Sequence, residues 1–293
     1  MATGDGEERR EMKFLVLVRW LFLAFTSLVA MPAVAQEAAP LMLAVHPYNS
    51  TLALVNSHRP LMQYLTKTLG RPVEFYTAPS FDGFTDALFA GRYDIAISPP
   101  HFAVLAMEKQ YVPLVHYRMM LEPILVVRAD SRFRKAEDFR GARIAMADKT
   151  AFIRIVMLKW LADQGLKAGK DYQIVERPNH SASISAAVIG EADAGLATFT
   201  ALRQIPADVQ QQVRGLGSGL RFPHLFTLAN KRLGDAEIAR IRAALLAFPD
   251  SPEGREFMEK TAFAGYEEIT PDEVKVLKPY GELYRQIESA APH

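Results

Sequence analysis

The chain has 293 residues, 34 Lys+Arg against 33 Asp+Glu, a net charge of +1 and no cysteine. Such an even charge balance argues against a nucleic-acid or polyanion binder, which needs a basic surface. Zero cysteines exclude a disulfide scaffold, a cysteine nucleophile, a thiolate metal site and an N-terminal lipid anchor, and 49% hydrophobic against 23% charged residues excludes wholesale disorder.

In chain order, the first feature is MKFLVLVRWLFLAFTSLVAMPAVA at residues 12–35. Lys13 and Arg19 accompany a mostly apolar run from Trp20 to Ala30, and Ala33-Val34-Ala35 has the small-x-small pattern of a signal-peptidase site. Residues 1–35 are therefore expected to be a signal peptide cleaved after Ala35. The charged, partly acidic MATGDGEERRE before Met12 is odd for such a leader, which fits either a true start at Met12 or a long leader. The apolar run is short for a membrane span, which needs about 20 residues. Removal of 35 residues from 293 leaves 258, expected in the periplasm without a lipid anchor.

Strand and helix signals then alternate. Leu41–Val45 reads as a strand, followed by the polar loop His46 to Thr51 and a helix with Leu61, Leu65, Thr68 and Leu69 on one face, closed by Gly70. Val73–Tyr76 is a second strand. Phe81, Phe84, Leu88 and Phe89 mark another core-facing helix, Gly91 stops it, and Asp94–Ser98 is a buried strand. This alternation predicts a largely parallel sheet covered by helices. The same grammar returns with strands at 142–147, 172–175 and 194–197, and helices at 150–164 and 183–189. ALFAGRYDIAIS at 87–98 and AVIGEADAGLAT at 187–198 both read helix end, Gly, two residues, Asp, strand. Two Pro-marked apolar segments, Met120–Arg128 and Leu220–Leu228, are the natural places for the chain to cross between two lobes and return. Ile238, Ile241, Leu245 and Phe248 keep helical spacing afterwards, and Thr270-Pro271-Asp272-Glu273 opens a last helix.

The stretch LVNSHRPLMQYLTKTLGRPVEFYTAPSFDGFTDALFAGRYDIAIS resembles the first lobe of the phosphate/phosphite/phosphonate family of ABC-transporter solute-binding proteins. ILVVRADSRFRKAEDFRGARIAM, the NH…GEADAGLAT segment and FPHLFTLANKRL extend the resemblance over nearly all of residues 41–285. It implies an α/β, two-lobed periplasmic-binding-protein fold of the type II kind, with two hinge crossings and a ligand cleft. Lobe 1 would comprise residues 36–121 and 225–293, and lobe 2 residues 122–224. The implied role is capture of a small polar, anionic, phosphonate- or phosphate-like ligand for an ABC importer. The implied partners are that ligand and an inner-membrane ABC permease, with no nucleic acid, no cofactor and a monomeric chain.

In open α/β sheets ligands collect beyond the carboxyl ends of the strands. The loops there offer Tyr48 and Asn49; Ser98 and His101; Asp148, Lys149 and Thr150; His180 and Ser181; and Thr198. Of these, Tyr48, Asn49, Ser98, His101, Lys149, Thr150, His180 and Thr198 are the expected ligand contacts. The resemblance assigns His180 the family's histidine before a second-lobe helix. It also implies a Ser-Thr-Ser-Gly-like anion loop where this chain has Asp148-Lys149-Thr150-Ala151-Phe152; only Thr150 keeps a hydroxyl in register, Phe152 stands for the glycine, and Asp148 is placed to cap the helix. Two alternatives use the same export signal. One is a periplasmic sensor subunit that presents ligand to a membrane receptor. The other is a metal-binding protein using His46, His101 and His180. An enzyme is disfavoured: GxSxG, HExxH and P-loop motifs are absent, and the cysteine required by the deaminase of this fold that builds its pyrrole cofactor onto one is missing.

Overall fold

The computed structural model describes residues 39–290, so the expected signal peptide, its cleavage site and the start at Met12 lie outside the described residues. The chain first lays down β1 (Leu41–Val45), α1 (Thr51–Leu69), β2 (Val73–Tyr76), α2 (Phe81–Phe89), β3 (Ile95–Ser98), α3 (Pro100–Met107) and β4 (Tyr111–Tyr117). It then builds a second unit from β5 (Pro123–Arg128), β6 (Arg143–Met146), α4 (Phe152–Asp163), β7 (Gln173–Glu176), α5 (His180–Val188), β8 (Ala194–Thr198), α6 (Phe199–Arg203), α7 (Ala207–Gln210) and β9 (Val213–Gly217). It returns through β10 (Phe226–Asn230) and ends with α8 (Asp235–Ala247), α9 (Pro252–Thr261), β11 (Tyr266–Glu268) and α10 (Pro271–Ser289). Two sheets result, ordered β11-β4-β10-β3-β1-β2 and β7-β6-β8-β5-β9.

Local chemistry sets the helix ends. The Ser50 hydroxyl accepts the Ala53 amide at 3.3 Å to start α1, and Gly70 ends it at φ 64°, a left-handed turn that costs glycine nothing. Thr270 and Glu273 form a reciprocal capping box at the start of α10.

The repeated Gly–x–x–Asp unit has the same job in each sheet. Asp94 accepts the amide of Met42 in β1 at 2.9 Å, and Asp193 accepts the amide of Arg143 in β6 at 2.7 Å. Each carboxylate therefore fixes the register of a neighbouring strand at its start. Gly91 and Gly190, at φ 69° and 79°, turn the chain out of the preceding helix.

The largely parallel arrangement expected from the alternation holds only for β2-β1-β3 and β7-β6-β8, and the other strand pairs are antiparallel. The reason is the crossing. A chain arriving from the other lobe enters a sheet at the carboxyl ends of its parallel strands, so β5 and β10 must run against them. The two crossings also hold each other: Leu121 donates to the Phe222 carbonyl at 2.8 Å and Phe222 donates to Leu121 at 3.1 Å. Among the described residues no helix is long and apolar enough to cross a membrane.

Candidate functional site

The carboxyl ends of the two sets of parallel strands face each other, and a cavity of about 30 Å³ lies between them. Its first-lobe wall is His46, Tyr48, Phe81 and Pro99, and its second-lobe wall is Ala151, Phe152, Ile153, His180, Thr198 and Thr200. Leu121, His224 and Leu225 of the crossings close the remaining side. The volume suffices for one or two water molecules, so this is a closed cleft.

The hydrogen-bond pattern fixes the chemistry of the crossing side. The Leu225 amide donates to His224 Nδ1 at 2.8 Å, so that nitrogen carries a lone pair and Nε2 carries the proton. Nε2–H then donates to Thr200 Oγ1 at 3.0 Å. The Thr198 and Thr200 hydroxyls lie 3.0 Å apart, and Thr198 also caps α6 by accepting the Ala201 amide at 3.0 Å. One hydroxyl donates to the other, which leaves one hydroxyl hydrogen of the pair free. The second-lobe wall adds the start of α4. Ala151 supplies no side-chain cap there, so the amides of Phe152 and Ile153 are the unsatisfied donors of a helix N-terminus.

His46 is the least satisfied polar group of the site. It is 1% exposed, both ring nitrogens lack a partner, and its ring is boxed by Phe81, Phe84 and Phe102 at centroid distances of 4.2, 5.1 and 5.8 Å. Burial, then the nearness of His180 and His101, holds its pKa well below the usual imidazole range. Burial alone lowers His180 to about 4, and burial with help from His116 lowers His224 to about 3. All three imidazoles are thus neutral near pH 7. Among the described residues no Lys, Arg, Asp or Glu lines the cavity.

The expected contact residues separate into groups. Tyr48, His180 and Thr198 line the cavity together, with the Tyr48 phenol donating to Gln204 Oε1 at 3.0 Å. Asn49 stands behind them and reaches the same Gln204 oxygen at 3.4 Å. Ser98 is fully buried outside the lining and donates to the Pro99 carbonyl at 3.2 Å. His101 is also outside it: Nε2 donates to the Thr150 carbonyl at 2.9 Å, its ring stacks on Phe102, and burial lowers its pKa to about 3. Lys149 points to solvent.

Thr150 is turned inward on its own loop. Its hydroxyl and amide both donate to Asp148 Oδ1, at 2.6 and 2.7 Å. Asp148 therefore does not cap α4 as the sequence suggested; it closes a tight turn and leaves the α4 amides open. Arg154, the nearest buried cation, makes a two-pronged pair with Glu176 at 2.6 and 2.8 Å. His46, His101 and His180 do not assemble a metal centre. Among the described residues no group of three or more metal-ligating side chains converges, and His101 Nε2 is already engaged.

Thr200, His224, Phe81 and Leu121 are lining residues that sequence reasoning missed. A signal existed for His224, the one imidazole inside the mostly apolar crossing Leu220–Leu228.

The sequence profile of the family described as "ABC transporter, phosphonate, periplasmic substrate-binding protein" matches residues 43–274. No curated protein matches the sequence significantly. Among solved structures, PhnD1 from Prochlorococcus marinus in complex with methylphosphonate superposes with a TM-score of 0.73 at 11% identity, covering 84% of this chain and 98% of that one. A binding-protein component of an ABC phosphonate transporter from Pseudomonas aeruginosa gives 0.72 at 13%, covering 86% and 88%. The periplasmic aliphatic sulphonate binding protein SsuA from Escherichia coli gives 0.60 at 15%, covering 87% and 94%. At such identities these likenesses establish the two-lobed periplasmic-binding-protein fold.

Proposed function

The chain belongs to the phosphonate family of periplasmic substrate-binding proteins of ABC transporters, and from that premise we propose that its cleft captures a small phosphonate-like oxyanion. It is a solute-binding protein for an ABC importer. The observation that carries the ligand reading is the convergence of unsatisfied donors on one buried cavity. These are the α4 amides, a Thr198/Thr200 hydroxyl and the imidazoles of His46 and His180. Oxyanion oxygens accept from such a set, and the α4 N-terminus favours negative charge there.

In this reading Tyr48, His180 and Thr198 are direct contacts, joined by His46, Thr200 and His224. Asn49, His101 and Thr150 hold the closed cleft from behind, and Ser98 and Lys149 have no contact with the ligand. Lobe 1 is residues 36–121 with 225–293 and lobe 2 is residues 122–224, the two sheets rocking about the Leu121–Phe222 bridge. Cleavage after Ala35 releases a lipid-free, monomeric periplasmic receptor. It binds without turning its ligand over, and its closed form is read by an inner-membrane ABC permease.

The test is calorimetric titration of residues 36–293 with methylphosphonate, phosphite, phosphate and acetate, followed by analysis of the recovered ligand. Saturable one-to-one binding of a phosphorus oxyanion, recovered unchanged, is the expected result. Absence of binding by every oxyanion sinks the ligand reading, and chemical conversion of the ligand sinks the receptor reading.

A further inference from the structure

We propose that the end of lobe 2 farthest from the cleft is a docking face for an anionic phospholipid bilayer. The proposal goes beyond ligand capture and stands whichever ligand the cleft takes. It begins with a division of charge that the even total conceals. Residues 122–224 hold 15 Lys and Arg against 11 Asp and Glu, whereas residues 36–121 with 225–293 hold 15 against 18. Lobe 2 therefore carries +4 and lobe 1 carries −3. Opposite charge on the two halves of one chain orients it on a charged surface.

The excess is local. The loops 129–142 and 164–172 lead into the amino ends of β6 and β7, while the cavity lies beyond the carboxyl ends of the parallel strands. The Gly141 amide joins the two loops by donating to the Asp171 carbonyl at 2.6 Å. Arg132, Arg134, Lys135, Lys167 and Lys170 are exposed on them, and Arg214 of β9 stands alongside, half-buried. None of these six has an ion-pair partner among the described residues, whereas Arg128, Arg140 and Arg143 nearby are paired with Asp130, Asp171 and Asp193. Arg134 and Arg214 donate to the same two carbonyls, those of Ser131 and Phe133, which satisfy hydrogen bonds and leave both charges standing. Against the six stand Glu137 and Asp138, the latter accepting the Arg134 and Lys135 amides at 2.7 and 3.1 Å.

Three features favour lipid over a folded partner. The cations are long side chains spread over separate loops, and fluid headgroups can gather beneath a scattered set. Ile189, 67% exposed at the end of α5, shares this end of the lobe with Arg128 and Arg143, which donate to the neighbouring Val188 and Gly190 carbonyls at 3.4 and 3.1 Å. An apolar tip ringed by cations suits the boundary between headgroups and acyl chains. Docking by this end also leaves the cleft clear, and the same negative surface holds the acidic lobe 1 away. The chain has no cysteine to carry a lipid, and this face provides a reversible contact with a membrane in its place.

The experiment is co-sedimentation of residues 36–293 with vesicles of phosphatidylglycerol in phosphatidylcholine at about 20 mM salt, repeated at about 300 mM. Binding should rise with the phosphatidylglycerol fraction, fall by on the order of 10-fold or more at the higher salt, and be absent on phosphatidylcholine alone. Arg132→Gln, Lys135→Gln and Lys167→Gln should each lower it by about fivefold. Lys67→Gln, an equal loss of charge on lobe 1, should leave it unchanged. All four side chains are exposed, so the variants should fold, which thermal denaturation verifies. Failure to bind anionic vesicles, equal binding to neutral ones, insensitivity to salt, or an equal loss with Lys67→Gln overturns the proposal. So does binding to inner-membrane vesicles that disappears once protease has shaved off their proteins, which marks an acidic protein as the partner. Vesicle binding in a protein that takes no oxyanion would sink the ligand reading and leave this face standing.

Discussion

Two threonines separate what residue type announces from what a side chain does. Thr150 occupies the family's anion-loop register, yet both its hydroxyl and its amide are committed to Asp148. Thr198 sits at a strand end, and its hydroxyl belongs to the relay that runs from His224 through Thr200 to the cavity. Thr198→Val is therefore expected to weaken oxyanion binding by about 1 kcal/mol or more, roughly fivefold or greater. It should also cost about 1 kcal/mol of stability through the lost α6 cap. Thr150→Val should leave affinity within about twofold; calorimetry of the two variants under one condition reads the contrast. At this scale the placement of Tyr48, His180 and Thr198 at the cavity was legible, because each lies at, or within four residues beyond, the end of a strand that the alternation marks. It was not legible for His224 and Thr200, whose roles depend on a hydrogen-bond tautomer that only three-dimensional neighbours impose.

Elements followed the hydrophobic pattern wherever one face was wet. Phe81, Phe84 and Leu88 placed α2 within its observed bounds, and Thr270-Pro271-Asp272-Glu273 placed the start of α10. The α3 helix escaped notice because seven of its eight residues are buried, which removes the polar face that gives a helix its period. β9, reading VRGLG, escaped because two glycines dilute any strand signal. A glycine at 195 looked like one more small residue in AGLAT, yet a Cβ there would come within 2.1 Å of the Ser183 carbonyl oxygen. That contact is backbone against backbone, so α5 cannot give way by moving a side chain. Gly195→Ala is expected to destabilise the protein by about 1–3 kcal/mol by pushing α5 off β8. Thermal denaturation of the variant checks it; an unchanged midpoint would show that the helix can slide.

The whole molecule carries two properties that no single element shows. The first is acid lability. His58, far along α1 from the cavity, is fully buried against Phe75 and Phe257, and burial lowers its pKa to about 4. Above the unfolded value of about 6.5 the ring is neutral in both states, and its full stabilising contribution is present. As pH falls toward 4 the unfolded chain takes up the proton first, so stability is lost, by about 3 kcal/mol at pH 4 for this group. His101, His180 and His224 act in the same direction. The melting temperature should drop steeply between about pH 6.5 and 4, and His58→Phe should flatten the slope by about one proton.

The second property is a direct tie across the cleft. Gln204, just beyond α6, accepts from Tyr48 and Asn49 and donates to the Thr261 carbonyl at 3.4 Å, so one second-lobe side chain holds three first-lobe sites. The Tyr48 carbonyl also accepts the His180 amide at 3.0 Å. Gln204 is absent from the cavity lining, so Gln204→Ala should loosen closure without removing a lining side chain. The ligand-free radius of gyration in solution scattering should rise as the closed population declines. The two-lobed plan was readable from the crossings. This tie was not, because a glutamine in a polar loop has no pattern to betray it.

A cavity of about 30 Å³ behind such ties also sets a clock. No phosphonate can pass a wall that admits one or two waters, so every arrival and departure must wait for the lobes to part. In stopped-flow mixing the observed rate should therefore climb with ligand concentration and then level off at the opening rate, and Gln204→Ala should raise that ceiling. A receptor built this way hands over its cargo when something else pries it open, and dwell time, more than contact strength, becomes the quantity its transporter must control.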